Sequence, residues 1–318
     1  MVSKKKKKLP RKMATDYTNP RDPGSLGGVK RFRRAQPTYI STSEAQRILN
    51  HIPAYTKHKE RRKNFRRNPV IVLDSRHQFQ ADLMDMTVLA SKKKNCKFVL
   101  VVVDCFSKKV NCQLIKSKSG IHVRDGLEKV FDQLGIPEKL QTDKGKEFYN
   151  QPVKAFLKEH HVTLFSSEND EIKASMAERM IKTLRNRLWR LFEAQKPSVK
   201  YWDKLRHLVD EYNATPHSAH QIAPDDVTED NSLVIFNRLY GKLLKEKPRA
   251  PTLKIGTKVR INSTKDIYAK GYEPNFQDEI CTVSRVVPHN PEPVYEVREP
   301  DGQVIIGKFY RHELAKCE

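Results

Sequence analysis

The chain contains no apolar run approaching the roughly 18 residues of a membrane-spanning helix, which excludes a helical membrane protein. Its first residues, MVSKKKKKLPRK, have no apolar segment behind the charges, so they do not read as a secretory signal. Cysteine is scarce. Cys96, Cys105, Cys112, Cys281 and Cys317 are odd in number and form no CxxC. That excludes a disulfide scaffold or a paired-cysteine zinc framework and points to reduced thiols in an intracellular protein. Acids are scarce relative to bases, 38 against 61, for a net charge of +23. A charge that large implies a polyanionic partner, nucleic acid or an anionic membrane surface.

The charge is uneven. Residues 1–80 hold 21 Lys and Arg against 5 acids, whereas residues 254–318 hold 10 against 10. The electrostatic anchor therefore belongs to the N-terminal third, and the last segment is not a general polyanion binder. Residues 1–40 are rich in Lys, Arg, Pro and Gly without periodicity and read as a basic disordered tail. Ser41-Thr-Ser-Glu44 is a capping-box pattern that opens a short helix. The second basic run, KHKERRKNFRRNPV, reads as a solvated linker or as a DNA-contacting arm. Arg61, Arg62, Lys63, Arg66 and Arg67 are the candidate phosphate contacts, because such density releases counterions on binding. Residues 41–76 are thus expected to form a basic helical arm.

From about residue 77 the pattern alternates strands and helices. FQADLMDM, KFVLVVVD and VNCQLIK read as three strands, the second apolar throughout and so central. GIHVRDGLEKVFDQLG reads as a helix and KLQTD as a fourth strand. PVKAFLKEH is a short helix and VTLFSS a fifth strand, before long helices over 171–195 and 201–215. Three strands in a meander, then helix, strand, helix, strand and helices, is the order of a ribonuclease-H-like α/β fold spanning 77–245. Beyond prolines 248 and 251, short strands with turn signals predict a small SH3-like all-β domain over 254–318.

Four carboxylates stand out. Asp82 sits mid-strand, Asp104 and Asp143 each end a strand, and Glu178 sits on the long helix. A bare carboxylate in a core strand needs a partner, and a metal is one. On the long helix Ala177, Met180, Ile181, Leu184, Leu188 and Leu191 form the buried stripe. Glu178, Lys182 and Arg185 share another face. That face reads either as a metal ligand beside two phosphate contacts or as an ordinary Glu–Lys surface pair.

These segments resemble the DDE catalytic core of retroviral integrases and related transposases. FQADLMDM is similar to its first-aspartate strand and VLVVVDCFSKKV to its second strand. LQTDKGKEFY is similar to its second-aspartate turn and KASMAERMIKTLRNRLW to its glutamate helix. YNATPHSAHQIAPDDV is similar to its closing segment. Within that superfamily the segments GGVKRF, AYTKHKERRKNFRRNPV and KGYEPNFQDEICTVSRVV look like the integrases of Polinton (Maverick) transposons.

The resemblance implies catalytic and metal-binding roles for Asp82, Asp143 and Glu178. Two Mg²⁺ or Mn²⁺ ions, about 3.5–4 Å apart, would serve 3′-end processing and strand transfer of a mobile element. It further implies double-stranded DNA as partner and a homo-multimer; Lys144 at the turn and Lys182 and Arg185 on the helix face are the candidate phosphate contacts, no membrane partner is expected, and substrate and charge together point to a nuclear location. Retroviral integrases carry a His-His-Cys-Cys zinc module before the core. His51 and His58 occur here, but no cysteine precedes Cys96, so that module is not expected. The alternative is a host-retained, non-catalytic DNA- or chromatin-binding protein.

The remaining candidates have plainer readings. Asp85 lies on the strand face opposite Asp82. Asp104 reads as structural and the His217–His220 pair as a surface turn. Trp189 and Trp202 read as packing residues. Tyr268, Tyr272, Phe276, Tyr295, Phe309 and Tyr310 form either the core of the C-terminal barrel or a chromatin or subunit surface.

Overall fold

The structure, a computed structural model, describes residues 17–36, 38–62, 64–89, 96–166, 175–195, 201–263, 270 and 272–317. Two compact units emerge. Val70–Lys245 forms one, and the described residues of Met1–Pro69 and Glu246–Glu318 form the other.

The second unit begins with three short helices, α1 (Val29–Arg34), α2 (Thr42–Asn50) and α3 (Pro53–His58). Ser41 accepts the Glu44 N–H at 3.1 Å and caps α2 as its sequence indicates. Phe32 on α1 packs with Tyr17, Ala45, Ile48 and Leu49 in a small core. Residues 17–36 are therefore structured where a disordered tail was expected. Two apolar anchors, Tyr17 and Phe32, suffice to hold an otherwise polar segment. The expected tail over 1–16 lies outside the described residues.

The core unit, Val70–Lys245, starts with β1 (Gln78–Asp85), β2 (Phe98–Asp104) and β3 (Val110–Ile115), an antiparallel meander. Next come α4 (Gly120–Leu134), β4 (Lys139–Gln141), α5 (Gln151–Glu159) and β5 (Thr163–Phe165). The sheet order is β3-β2-β1-β4-β5, with β4 parallel to β1 and β5 parallel to β4. Helices α6 (Ser175–Gln195), α7 (Tyr201–Ala214) and α8 (Glu229–Lys245) follow. The α/β fold anticipated from the strand and helix order is the one formed.

Pleat alternation divides the sheet into two faces. Phe79, Ala81, Leu100, Val102 and Leu140 pack with α4 and α5. Met84, Val99, Val101 and Val103 pack with the buried stripe of α6 and with α7. Asn213 closes the unit by holding both backbone groups of Val110, at 2.9 Å each.

The C-terminal sheet contains β6 (Lys258–Ile261), β7 (Cys281–Val287), β8 (Val294–Arg298), β9 (Phe309–Tyr310) and β10 (Leu314–Lys316). It is antiparallel throughout, in the order β10-β6-β7-β8-β9. Tyr295 and Val297 lie at its centre. Of the aromatics left open by the sequence, Phe276, Tyr295 and Tyr310 are buried core and Tyr272 is exposed. Tyr268 lies outside the described residues.

The basic segment before Pro69 is built into this same unit. Arg260 is buried and donates to Thr56 Oγ1 at 3.2 Å, to the Gln277 carbonyl at 3.1 Å, and to the Asp278 carbonyl. Asn68 exchanges two hydrogen bonds with the backbone of Glu292, at 2.8 and 2.9 Å. The expected 41–76 arm is thus no separate domain: its residues to Pro69 pack with the C-terminal sheet, and the core unit begins at Val70. Replacing Arg260 by Met would remove three hydrogen bonds, one of them to the buried Thr56 hydroxyl, at a cost of about 1–3 kcal/mol. Chemical denaturation followed by near-ultraviolet tyrosine signal should show an earlier transition. Fluorescence of Trp189 and Trp202, both in the other unit, should keep its midpoint.

Candidate active site

The candidate acids stand on three elements of the core unit. Asp82 projects from β1 on the α6 side, opposite Val101 of β2 in register. It is half-buried, and its own carboxylate accepts the Leu83 N–H at 2.7 Å. Asp143 follows β4, the parallel neighbour of β1. Thr142 is buried and donates its hydroxyl to the Asp143 carbonyl at 3.0 Å, while its N–H is taken by Phe165 of β5. Glu178 stands exposed in the first turn of α6.

The Asp82 carboxyl is pushed up to about 6. Burial is the main cause, and the negative charges of Asp143, Glu178 and Glu147 add to it. The three sequence-predicted acids thus share one electrostatic environment. Glu147 is a fourth acid that sequence reasoning missed, although its place in DKGKEF, four residues after Asp143, was the available signal. Its carboxylate folds over Gly145, within 2.6–2.8 Å of where a Cβ would stand. Asn150 fastens this turn by donating to the carbonyls of Lys146 and Glu147, at 3.0 and 2.7 Å, while capping α5 through Val153.

Among the described residues no three His, Cys, Asp or Glu side chains converge as a metal-holding group. The donor chemistry nonetheless suits a hard divalent cation: every candidate ligand is a carboxylate, an all-oxygen donor set. The two-ion site implied by the resemblance is not assembled among the described residues.

The other candidates separate clearly. Asp85 is exposed and accepts from the Thr87 N–H and hydroxyl at 2.9 and 2.6 Å, away from the acid group. Asp104 is buried and organises the turn after β2, accepting from Ser107 Oγ at 2.7 Å and Phe106 N at 3.0 Å. That is the structural role read from the sequence. His220, expected in a surface turn, is fully buried. It donates from Nε2 to the Ser107 carbonyl at 3.1 Å and stacks on His217. Burial and the neighbouring His220 and Lys108 hold His217 down near 4, so the pair is uncharged packing. Trp189, expected to be packed, is 44% exposed and touches Phe192.

Lys144, Lys182 and Arg185 are exposed, and no Glu178–Lys182 ion pair forms among the described residues. In the other unit Arg62 is exposed, and Arg61 donates to the Ser263 carbonyl at 3.4 Å. Arg66 instead forms a two-point ion pair with Glu246, at 2.5 and 2.7 Å. Arg67 lies over the Phe65 ring and 3.8 Å from Glu313. These two arginines fasten their segment within its own unit. Lys63 lies outside the described residues.

The acid cluster has a stability cost that can be measured. Asp82 holds its proton more tightly folded than unfolded, where its value lies near 4, so the native state binds the extra proton. Stability from this group is therefore greatest below pH 4 and falls as pH rises through 6. In metal-free protein Asp82→Asn should gain about 1–2 kcal/mol over wild type above pH 7, after allowance for solvent screening, and nothing at pH 4. Urea unfolding of both proteins across that range checks the slope.

Comparison with known proteins agrees with this architecture. Residues 75–168 match the integrase core domain family. A transposon-derived protein of Caenorhabditis elegans is 31% identical over 184 residues, covering 58% of this chain and 61% of that protein. The retrovirus-related Pol polyprotein from transposon 297 of Drosophila melanogaster is 28% identical over 117 residues, covering 37% of this chain and 11% of the polyprotein. The chain thus spans about three fifths of the first relative and about a tenth of the second. Among solved structures, a chain of the simian T-cell lymphotropic virus intasome in complex with a PP2A regulatory subunit aligns with a TM-score of 0.58. That alignment has 16% identity and covers 88% of this chain and 92% of that one, a likeness of fold. Asp82 on β1 and Asp143 after β4 lie within the residues that match the integrase core domain family, and Glu178 on α6 follows them.

Proposed function

We propose that this protein is a DNA integrase that processes 3′ ends and joins them to target DNA by metal-dependent phosphoryl transfer. One observation carries the reading: Asp82, Asp143 and Glu178 stand on β1, after β4 and on α6, where the charges of Asp143 and Glu178 oppose that of Asp82, and the first two lie within the residues that match an integrase core domain. Mg²⁺ or Mn²⁺, as a pair of ions, would supply Lewis-acid activation of the attacking and leaving oxygens. The three carboxylates would hold the ions. Lys144 would meet the DNA backbone at the Asp143 turn, and Lys182 and Arg185 would do so from the exposed face of α6. Arg61, Arg62 and Lys63 would add sequence-independent affinity that falls steeply with salt. Arg66 and Arg67 would support that segment through Glu246 and Glu313 and contribute less.

The finer assignments rest on motif resemblance and on chemistry. The Polinton-like segments support a self-synthesising transposon as the source. Joining two ends calls for more than one copy of the chain, and a DNA substrate calls for a nuclear location. Chromatin contact through the C-terminal module is the least supported of these. A second reading, a DNA- or chromatin-binding protein without catalysis, is favoured by one observation: no three acids converge among the described residues.

A strand-transfer assay separates the two, using a labelled duplex carrying the element end, a plasmid target and Mg²⁺ or Mn²⁺. Joined products should form with wild type and fall at least about 100-fold in Asp143→Asn and Glu178→Gln, with DNA affinity kept within about threefold. DNA binding without joining, unaltered by either substitution, would favour the non-catalytic reading.

A further inference from the structure

Three glutamines lie buried on the site face of the sheet: Gln78, Gln80 and Gln141, only 5%, 3% and 6% exposed. Buried amides in a core sheet demand partners, and these find one another. Gln141 Oε1 accepts from both Gln78 Nε2 and Gln80 Nε2, at 3.0 Å each. Gln80 turns its own Oε1 to the start of α6, where it accepts the N–H groups of Met176 at 2.8 Å and Ala177 at 3.3 Å. Those are helix-terminal amides with no carbonyl four residues earlier inside the helix, and Gln80 supplies the missing acceptor from another element.

The placement is regular. Gln80 is two residues before Asp82, Gln141 two before Asp143, and Met176 two before Glu178. Residues two apart on a strand face the same way, so Gln80 and Asp82 project side by side from β1. Gln80 and Gln141 are also direct partners in the β1–β4 register. The one amide of Gln80 therefore bonds both of the other acid-bearing elements, one pleat away from the acids. Gln78 joins Gln141 but makes no bond to α6 among the described residues. A bond network fastened at one amide sets the separation of elements more tightly than apolar packing, which tolerates sliding.

We propose that Gln80 is a positioning residue for the acid site, fixing the backbones of α6 and the Asp143 strand against β1 and so setting the spacing from which the three carboxylates can close on a divalent cation. The proposal rests on the reading of these acids as metal ligands. It assigns Gln80 no contact with DNA or metal.

The test uses the full chain and compares Gln80→Leu, Gln80→Glu and Gln78→Leu with wild type. Three quantities are measured: hydrogen–deuterium exchange at Met176 and Ala177, Mn²⁺ affinity by calorimetry, and strand transfer. Asp82→Asn serves as the reference for site-specific Mn²⁺ binding. Gln80→Leu should speed exchange at both amides at least about tenfold and weaken Mn²⁺ binding about 10–100-fold, while the thermal midpoint of the core unit stays within a few degrees. Gln80→Glu should restore both readouts. Its carboxylate still accepts from the two helix amides, and the Gln141 and Gln78 amides, turned together, offer it a donor while keeping their own bond. Gln78→Leu, which loses a buried bond without touching α6, should change Mn²⁺ affinity less than about threefold.

Equal loss in Gln78→Leu and Gln80→Leu would reduce the network to general core stability and overturn the proposal. So would wild-type Mn²⁺ affinity, or wild-type amide exchange, in folded Gln80→Leu. A wild type that binds Mn²⁺ through Asp82 but joins no ends would defeat the integrase reading and leave the positioning role to stand on affinity and exchange. A wild type that binds no Mn²⁺ would overturn both.

Discussion

The pleat of one strand governs this core. β1 must pack apolar side chains against α4 and α5 through Phe79 and Ala81, and on its other face it carries Gln78, Gln80 and Asp82 before returning to apolar Met84. Alternation makes both demands compatible in eight residues. It also leaves no freedom: a register slip of one residue would bury Asp82 beneath α4 and expose Phe79. The pairing of β1 with β2 along its whole described length, and with β4 on its other side, holds that register.

The site is consequently built from polar groups in a place where the sheet would otherwise be a hydrophobic interior. The glutamines are tolerated because each amide has a partner. Asp82 is tolerated at the expense of an ordinary carboxylate's acidity, since burial and three neighbouring acids oppose its charge. Neutral, hydrogen-bonded amides therefore stand beside a carboxylate on the same face of the sheet, one pleat apart. The turns around these groups are rigid for local reasons. Asp104 bonds Ser107 and Phe106 after β2, and His220 seals the Ser107 carbonyl from the far end of the unit. Lys108 reaches from the same turn to the Cys105 carbonyl and to Met176 on α6.

The other unit follows a different logic. Its basic residues are not uniformly available to a polyanion, because Arg66 and Arg67 already face Glu246 and Glu313. Buried Arg260 and the paired bonds of Asn68 make residues before Pro69 part of the C-terminal sheet's surroundings. Charge density along the chain is therefore a poor guide to which cations remain exposed. The same holds for His220, whose HxxH spacing looks like a surface turn until the 104–108 turn covers it.

By itself the sequence determined the order of strands and helices in the core, the buried stripe of α6, the cap at Ser41 and four carboxylates that stand out, the three candidate acids among them. Each is a short-range signal: hydrophobic period, a capping pattern, or a carboxylate in an apolar strand. Only the tertiary structure decided that Glu147 joins the acid group, that Asp82 feels all of its neighbours, and that three glutamines bind the acid-bearing elements together. It also decided that the N-terminal helices belong with the C-terminal sheet. Those are contacts between residues tens to hundreds of positions apart. A polar side chain's partner across such a distance is set by how the elements stack, and no local pattern encodes it.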